Sequence, residues 1–152
     1  MTDLPDIYTN EAAKVAAKDA EKAYNYAKDV LHARWDGPYK DLAEKTIAGN
    51  AYYAYRYAES VLKACWDGPS KDLAERTIAG DAYCAYFYAK DVLKARWDGP
   101  SKELAEKTIL KSSFRKDYLN LLRKHDIQGY VALMQELSDK GEIKKIKVER
   151  LD

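Results

Sequence analysis

Between residues 51 and 66 the positions Ala51, Ala54, Tyr55, Ala58, Val61, Leu62 and Cys65 recur at steps of three and four. That spacing predicts a helix with one apolar stripe, closing at Trp66. Tyr57 lies about 160 degrees round from Tyr55 if each residue turns roughly 100 degrees, so a second face is engaged as well. A helix that is apolar on two sides needs one partner within its own unit and another in the next. The breaker run Asp67, Gly68, Pro69 follows, and then Leu73, Ala74, Thr77 and Ile78 stripe a shorter helix. Ser70 or Pro69 is its expected start and Gly80 its left-handed stop, while Asp81 caps the next long helix, as Asn50 does one unit earlier. Tyr39, standing in place of Ser70, predicts a weaker start for the first short helix.

The same phrase occurs three times. Trp35, Trp66 and Trp97 are spaced by 31 residues, with Gly37, Gly68 and Gly99 and then Pro38, Pro69 and Pro100 in step. Tyr24 and Tyr86 match Tyr55, Tyr26 and Tyr88 match Tyr57, and Leu31 and Leu93 match Leu62. The expected fold class is all-α: a right-handed solenoid of helix-turn-helix repeats with a period of 31 and a two-helix C-terminal cap. Residues 1–19 form a lead-in and half repeat. Its first eight residues read as loosely docked; Thr9 or Asn10 caps Glu11 to Lys18, and Ala12, Ala16 and Ala17 fall opposite Ala43, Ile47 and Ala48. Residues 20–111 hold the three repeats. Residues 112–152 carry a helix capped by Ser112 or Ser113 and striped by Phe114, Tyr118, Leu121 and Leu122. A second helix, striped by Ile127, Tyr130, Val131, Met134 and Leu137, stops at Gly141, and a basic tail holds Ile143, Ile146, Val148 and Leu151.

Charge changes this picture little. Twenty-six basic residues face 25 acidic ones, so the bulk composition argues for no polyanionic partner. No run approaches the roughly 18 apolar residues of a membrane span, and the N-terminus lacks a signal layout, which predicts a soluble, cytoplasmic chain with no membrane partner. Cys65 and Cys84 interrupt the repeat and read as free thiols.

Candidate chemistry is sparse. His32 and His125 lie in different modules without ligand-like neighbours, and the glycines punctuate helices instead of cradling phosphate. No catalytic residue, metal or cofactor is implied, and the chain reads as a non-enzyme. Glu44, Asp72 and Glu75 sit beside Lys or Arg and read as solvated, ion-paired faces. The tryptophans read as corners packed against the next helix. Large residues that change between copies are not required by stacking, which makes Tyr52, Tyr53, Arg56, Tyr83 and Phe87 the candidate partner-binding surface. The alternative is a nucleic-acid-binding edge of Arg34, Arg96, Lys63, Lys94, Lys40, Lys71 and Lys102. The alanine-rich opening helix is a candidate homodimer contact.

The strings LAEKTIAGNAYYAYRYAESVLKACW and LAERTIAGDAYCAYFYAKDVLKARW resemble a short helical repeat of uncharacterised phage and bacterial proteins, over roughly residues 20–110. That repeat carries an AYxYA core, a DVL step and a closing RW; W-D-G-P here replaces its more usual W-P-E. Likeness to Sel1 and tetratricopeptide arrays, whose repeats run roughly 34 to 36 residues, is looser. The resemblance implies a phage-type accessory protein that binds and modulates or inhibits a bacterial host protein.

Overall fold

The computed structural model describes residues 4–142, and these are all-helical. After a 3₁₀ turn, Asp6–Tyr8, the helices are α1 (Glu11–Ala16), α2 (Ala20–Tyr26), α3 (Lys40–Ala48), α4 (Ala51–Arg56), α5 (Lys71–Ala79), α6 (Ala82–Tyr88), α7 (Lys102–Leu110), α8 (Arg115–His125) and α9 (Ile127–Asp139). Each of α2, α4 and α6 runs on into a wider π-helical turn, Ala27–Leu31, Tyr57–Leu62 and Ala89–Leu93. The pairs α2 with α3, α4 with α5 and α6 with α7 pack as hairpins. Like helices also meet, α2 with α4, α4 with α6, α3 with α5 and α5 with α7, and α8 packs on α9.

The caps follow the sequence at most long helices. Asn10, Asp19, Asn50 and Asp81 each accept a hydrogen bond from the backbone N–H three residues on, satisfying a donor the helix leaves open. The short helices differ. Tyr39, Ser70 and Ser101 stand at the N-cap without a side-chain bond, and all three helices begin at matching residues, so Tyr39 causes no weaker start. Gly49 and Gly80 are right-handed, at φ −81° and −82°. The left-handed stops fall elsewhere, on His32, Lys63 and Lys94 at φ 52°, 54° and 55°, where the π turns end.

Those stops correct the reading of the long helices. The helix of the middle copy ends at Leu62 instead of Trp66, and the wide turn with its left-handed closure takes the chain off the α-helical stripe. Cys65, expected on the apolar face, is therefore exposed. The core runs from Ala13, Ala16 and Ala17 at α1 to Leu133 and Leu137 in α9. Ala12 faces out and α1 stops at Ala16, short of Lys18. In α9, Tyr130, Leu133 and Leu137 are buried while Ile127 and Val131 are exposed, so the buried stripe is rotated from the one expected. The helix after α7 begins at Arg115, and Ser112 accepts from Phe114 N–H just before it.

Two ends are tied down more firmly than composition suggests. Ile7 O accepts the Tyr26 hydroxyl at 2.6 Å, which docks the lead-in on α2. At the other end Asp126 caps α9 through Gly129 N–H at 2.9 Å and also accepts Arg96 N–H at 3.0 Å. A Cβ at residue 129 would sit 2.7 Å from Asp126 Cγ and 3.0 Å from Arg96 Cβ, so the close approach requires glycine. Gly141, at φ 72°, follows α9 as its left-handed stop. The basic tail from Ile143 onward lies outside the described residues.

Candidate functional site

Buried hydrogen bonds join each copy to the next. Trp35, Trp66 and Trp97 are buried, and each indole N–H donates to a backbone carbonyl twelve residues earlier, Ala23, Ala54 and Ala85, at 2.8–2.9 Å. Past the π turn, each Trp lies in an irregular segment whose backbone N–H must find a partner. It donates to the hydroxyl oxygen of Tyr57, Tyr88 or Tyr118 at 3.0–3.1 Å. Each of those hydroxyls in turn donates to a buried carboxylate, Glu44, Glu75 or Glu106, at 2.7–2.8 Å. The chain Trp N–H to Tyr to Glu thus crosses from one copy to the next. Glu44 and Glu75 are buried acceptors in it, not solvated faces. Burial chiefly, with the adjacent carboxylate, holds all three tyrosine hydroxyls above their ordinary pKa.

Arg34 and Arg96 complete two of these junctions. Each sets Nε and Nη2 on the two oxygens of its glutamate, a bidentate fork that keeps the guanidinium pKa above its ordinary value. Arg34 also reaches Asp67 at 2.5 Å, and Arg96 reaches Glu136 at 2.9 Å. Both arginines of the expected nucleic-acid edge are therefore already held by carboxylates. Lys71 Nζ lies 3.8 Å from Glu75.

The five candidate residues fall on α4 and α6, which touch, and form two neighbouring aromatic groups. In the first, Arg56 lies over the Tyr24 and Tyr52 rings at 5.8 and 5.7 Å and donates to the Tyr52 hydroxyl at 2.8 Å. Tyr53 packs on Tyr24 and Tyr52 and donates to Glu21 at 2.7 Å, which raises its pKa. In the second, Tyr83 meets Phe87 at 4.6 Å, and both meet Phe114. Tyr55 and Phe87 bridge the groups at 6.5 Å. Tyr52 and Tyr83, at equivalent positions, are 42% and 48% exposed and form the accessible part. Tyr53 and Phe87 are half-buried and join neighbouring helices, so variation between copies does not free them from packing.

Sequence reasoning missed Tyr24 and Phe114 as members of this face. Phe114 stands just before α8, where the frame shortened by one residue that pairs Tyr118 with Tyr88 aligns it with Cys84 and, one copy earlier, with Tyr53. Tyr24 is buried, and its hydroxyl finds no hydrogen-bond partner among the described residues. The matching hydroxyl of Tyr55 donates to Asp91 at 2.5 Å; one copy earlier the place of Asp91 is taken by Ser60, which instead bonds Glu59.

None of the five lines either of two grooves formed by the described residues. A groove of about 560 Å³ walled by Ala12, Val15, Ala16, Tyr26 and Val30 opens on the outer side of α1 and α2, the place of the candidate homodimer contact. Another, about 720 Å³, lies between α7 and α9. Among the described residues no group of three His, Cys, Asp or Glu side chains is placed to hold a metal, and no helix is long and apolar enough to cross a membrane. Comparison with protein-family models, with curated proteins and with solved structures finds no match to this chain.

Proposed function

We propose that the chain is a right-handed solenoid of 31-residue helix pairs that binds another protein through the aromatic face of α4 and α6. One observation carries this. Two large, exposed tyrosines, Tyr52 and Tyr83, occupy equivalent positions on touching helices and are backed by the neighbouring rings Tyr53 and Phe87. Rigid, amphipathic rings lose little conformational freedom on contact, and with the Arg56 guanidinium among them they are the side chains that dominate protein interfaces. The solenoid reading is supported by the junction bonds recurring every 31 residues at Trp35 and Trp66. Resemblance to phage and bacterial repeats directs the proposal to a bacterial host protein, in the host cytoplasm, and to a binding rather than catalytic role. Nucleic acid is the less favoured partner, because Arg34 and Arg96 are engaged internally.

Immobilised protein and its Tyr52→Ser/Tyr83→Ser variant, both exposed to bacterial lysate, test the reading. Proteins retained by the first and lost by the second, with unchanged circular dichroism, are the expected result. Identical retention by both would refute the assigned face.

A further inference from the structure

The three junctions are not equally filled. In the first, Arg34 bonds Glu44 at 2.7 and 3.0 Å and reaches across to Asp67. In the third, Arg96 bonds Glu106 at 2.7 and 2.8 Å and reaches across to Glu136. The matching residue of the middle copy is Cys65, a short, exposed side chain. Its buried carboxylate has nevertheless been kept: Glu75 is 5% exposed, and its Oε2 accepts the Tyr88 hydroxyl at 2.8 Å. Glu75 Oε1 accepts no hydrogen bond from any described residue. Asp98, which matches Asp67 one copy further on, is exposed, and its Oδ1 accepts Gly99 N–H.

We infer that this notch beside Cys65 is a binding site for a guanidinium group supplied from outside, the arginine side chain of a partner polypeptide. Two internal copies show the bound geometry, with Nε and Nη2 on the two glutamate oxygens and the guanidinium also reaching the next acidic group. Tyr88 fixes the orientation of Glu75, so the carboxylate is presented as a planar acceptor ready for a planar fork. Glu75 Oε1 is not among the buried orphan atoms, so it opens to solvent and is reachable by a donor from outside, while the rest of the side chain is held in place. Lys71, at 3.8 Å, offsets charge without reaching hydrogen-bond distance, and an ammonium cannot supply two parallel N–H bonds. That the guanidinium belongs to a polypeptide rests on the protein-binding reading; the notch itself does not.

The amide-resolved NMR spectrum of the whole protein, titrated with N-acetyl-arginine amide and separately with N-acetyl-lysine amide, reads the notch alone. The reporter is Trp66 N–H, which donates to the same Tyr88 hydroxyl that bonds Glu75. Expected is a saturable millimolar shift with the arginine amide, at least about tenfold weaker with the lysine amide. Cys65→Arg, filling the notch from within, abolishes the shift, and Cys65→Ser retains it. A shift that fails to saturate, is equal for the two amides, or survives in Cys65→Arg overturns the inference. The Tyr52→Ser/Tyr83→Ser variant leaves this titration unchanged, so failure of the aromatic face and failure of the notch are told apart.

Discussion

Tyr24→Phe and Tyr55→Phe remove the same hydroxyl from equivalent positions, yet the surroundings give them opposite expected signs. Tyr55 donates to Asp91 at 2.5 Å, and burial followed by that bond raises its pKa. A hydrogen bond to a charged acceptor contributes about 1.5–3 kcal/mol; because Asp91 keeps access to water, the low end, ~1.5 kcal/mol, applies. For a chain of this size that is a fall in Tm of about 3–6 °C. The Tyr24 hydroxyl is buried without a partner among the described residues. Removing it recovers ~1 kcal/mol of desolvation, a rise of about 2–4 °C. Ser60→Asp supplies the missing acceptor and closes a double-mutant cycle: it should stabilise the chain carrying Tyr24 and do nothing in the Tyr24→Phe background, a coupling of ~1–2 kcal/mol. Thermal and urea unfolding followed at 222 nm measure every variant. A loss in Tyr24→Phe as large as in Tyr55→Phe, or equal effects of Ser60→Asp in both backgrounds, would refute the reasoning.

Three more outcomes are expected. A chromogenic disulfide reagent at mild alkaline pH should titrate one thiol quickly, exposed Cys65, and the second only on unfolding, since burial and then Asp81 push Cys84 up to about 12; two fast thiols would contradict this. Tyr57, Tyr88 and Tyr118 have folded pKa values above the unfolded value of about 10, so the stability they contribute is intact below that pH and lost as pH rises through their folded values. Their ionisation at 295 nm should accompany loss of helix; full ionisation with the circular dichroism intact would argue against the buried junctions. Gly129→Ala should destabilise by about 1–3 kcal/mol through its clash with Asp126 and Arg96, outweighing the roughly 1 kcal/mol that helix propensity favours alanine; a gain in Tm would show that the cap relaxes freely.

Much of the helical layout could be read from spacing and caps because both are local. Asn50 and Asp81 sit where their side chains meet an open N–H, and Ala54, Ala58, Ala85 and Ala89, recurring at steps of four, are buried. What could not be read comes from departures from α geometry and from contacts far apart in sequence. The stripe through Cys65 assumed a uniform turn, and the π turn over Tyr57–Leu62 breaks it. Glu44 and Glu75 look like surface acids because Lys or Arg stands nearby; only the arrival of Tyr57 and Tyr88 from the following copy makes them buried acceptors. Of the candidate face, Tyr52 and Tyr83 are the exposed pair, although Tyr52 accepts a bond from Arg56 and Tyr83 packs on Phe87 and Phe114. Tyr53 and Phe87 were half legible, since their variation conceals contacts with Tyr24 and Phe114 that only the helix register reveals.

Tyr118 adds one consequence. Although α8 departs from the repeated phrase, it offers Trp97 and Glu106 the same hydroxyl that Tyr57 and Tyr88 offer their own predecessors. At each of these three junctions the buried hydrogen bonds to the Trp N–H and the Glu carboxylate come from one downstream tyrosine. Excising residues 51–81 would bring Tyr88 onto Trp35 and Glu44, and duplicating them would insert one more matching joint. Gene-level slippage by one unit could lengthen or shorten such a chain while leaving both of its ends as they are.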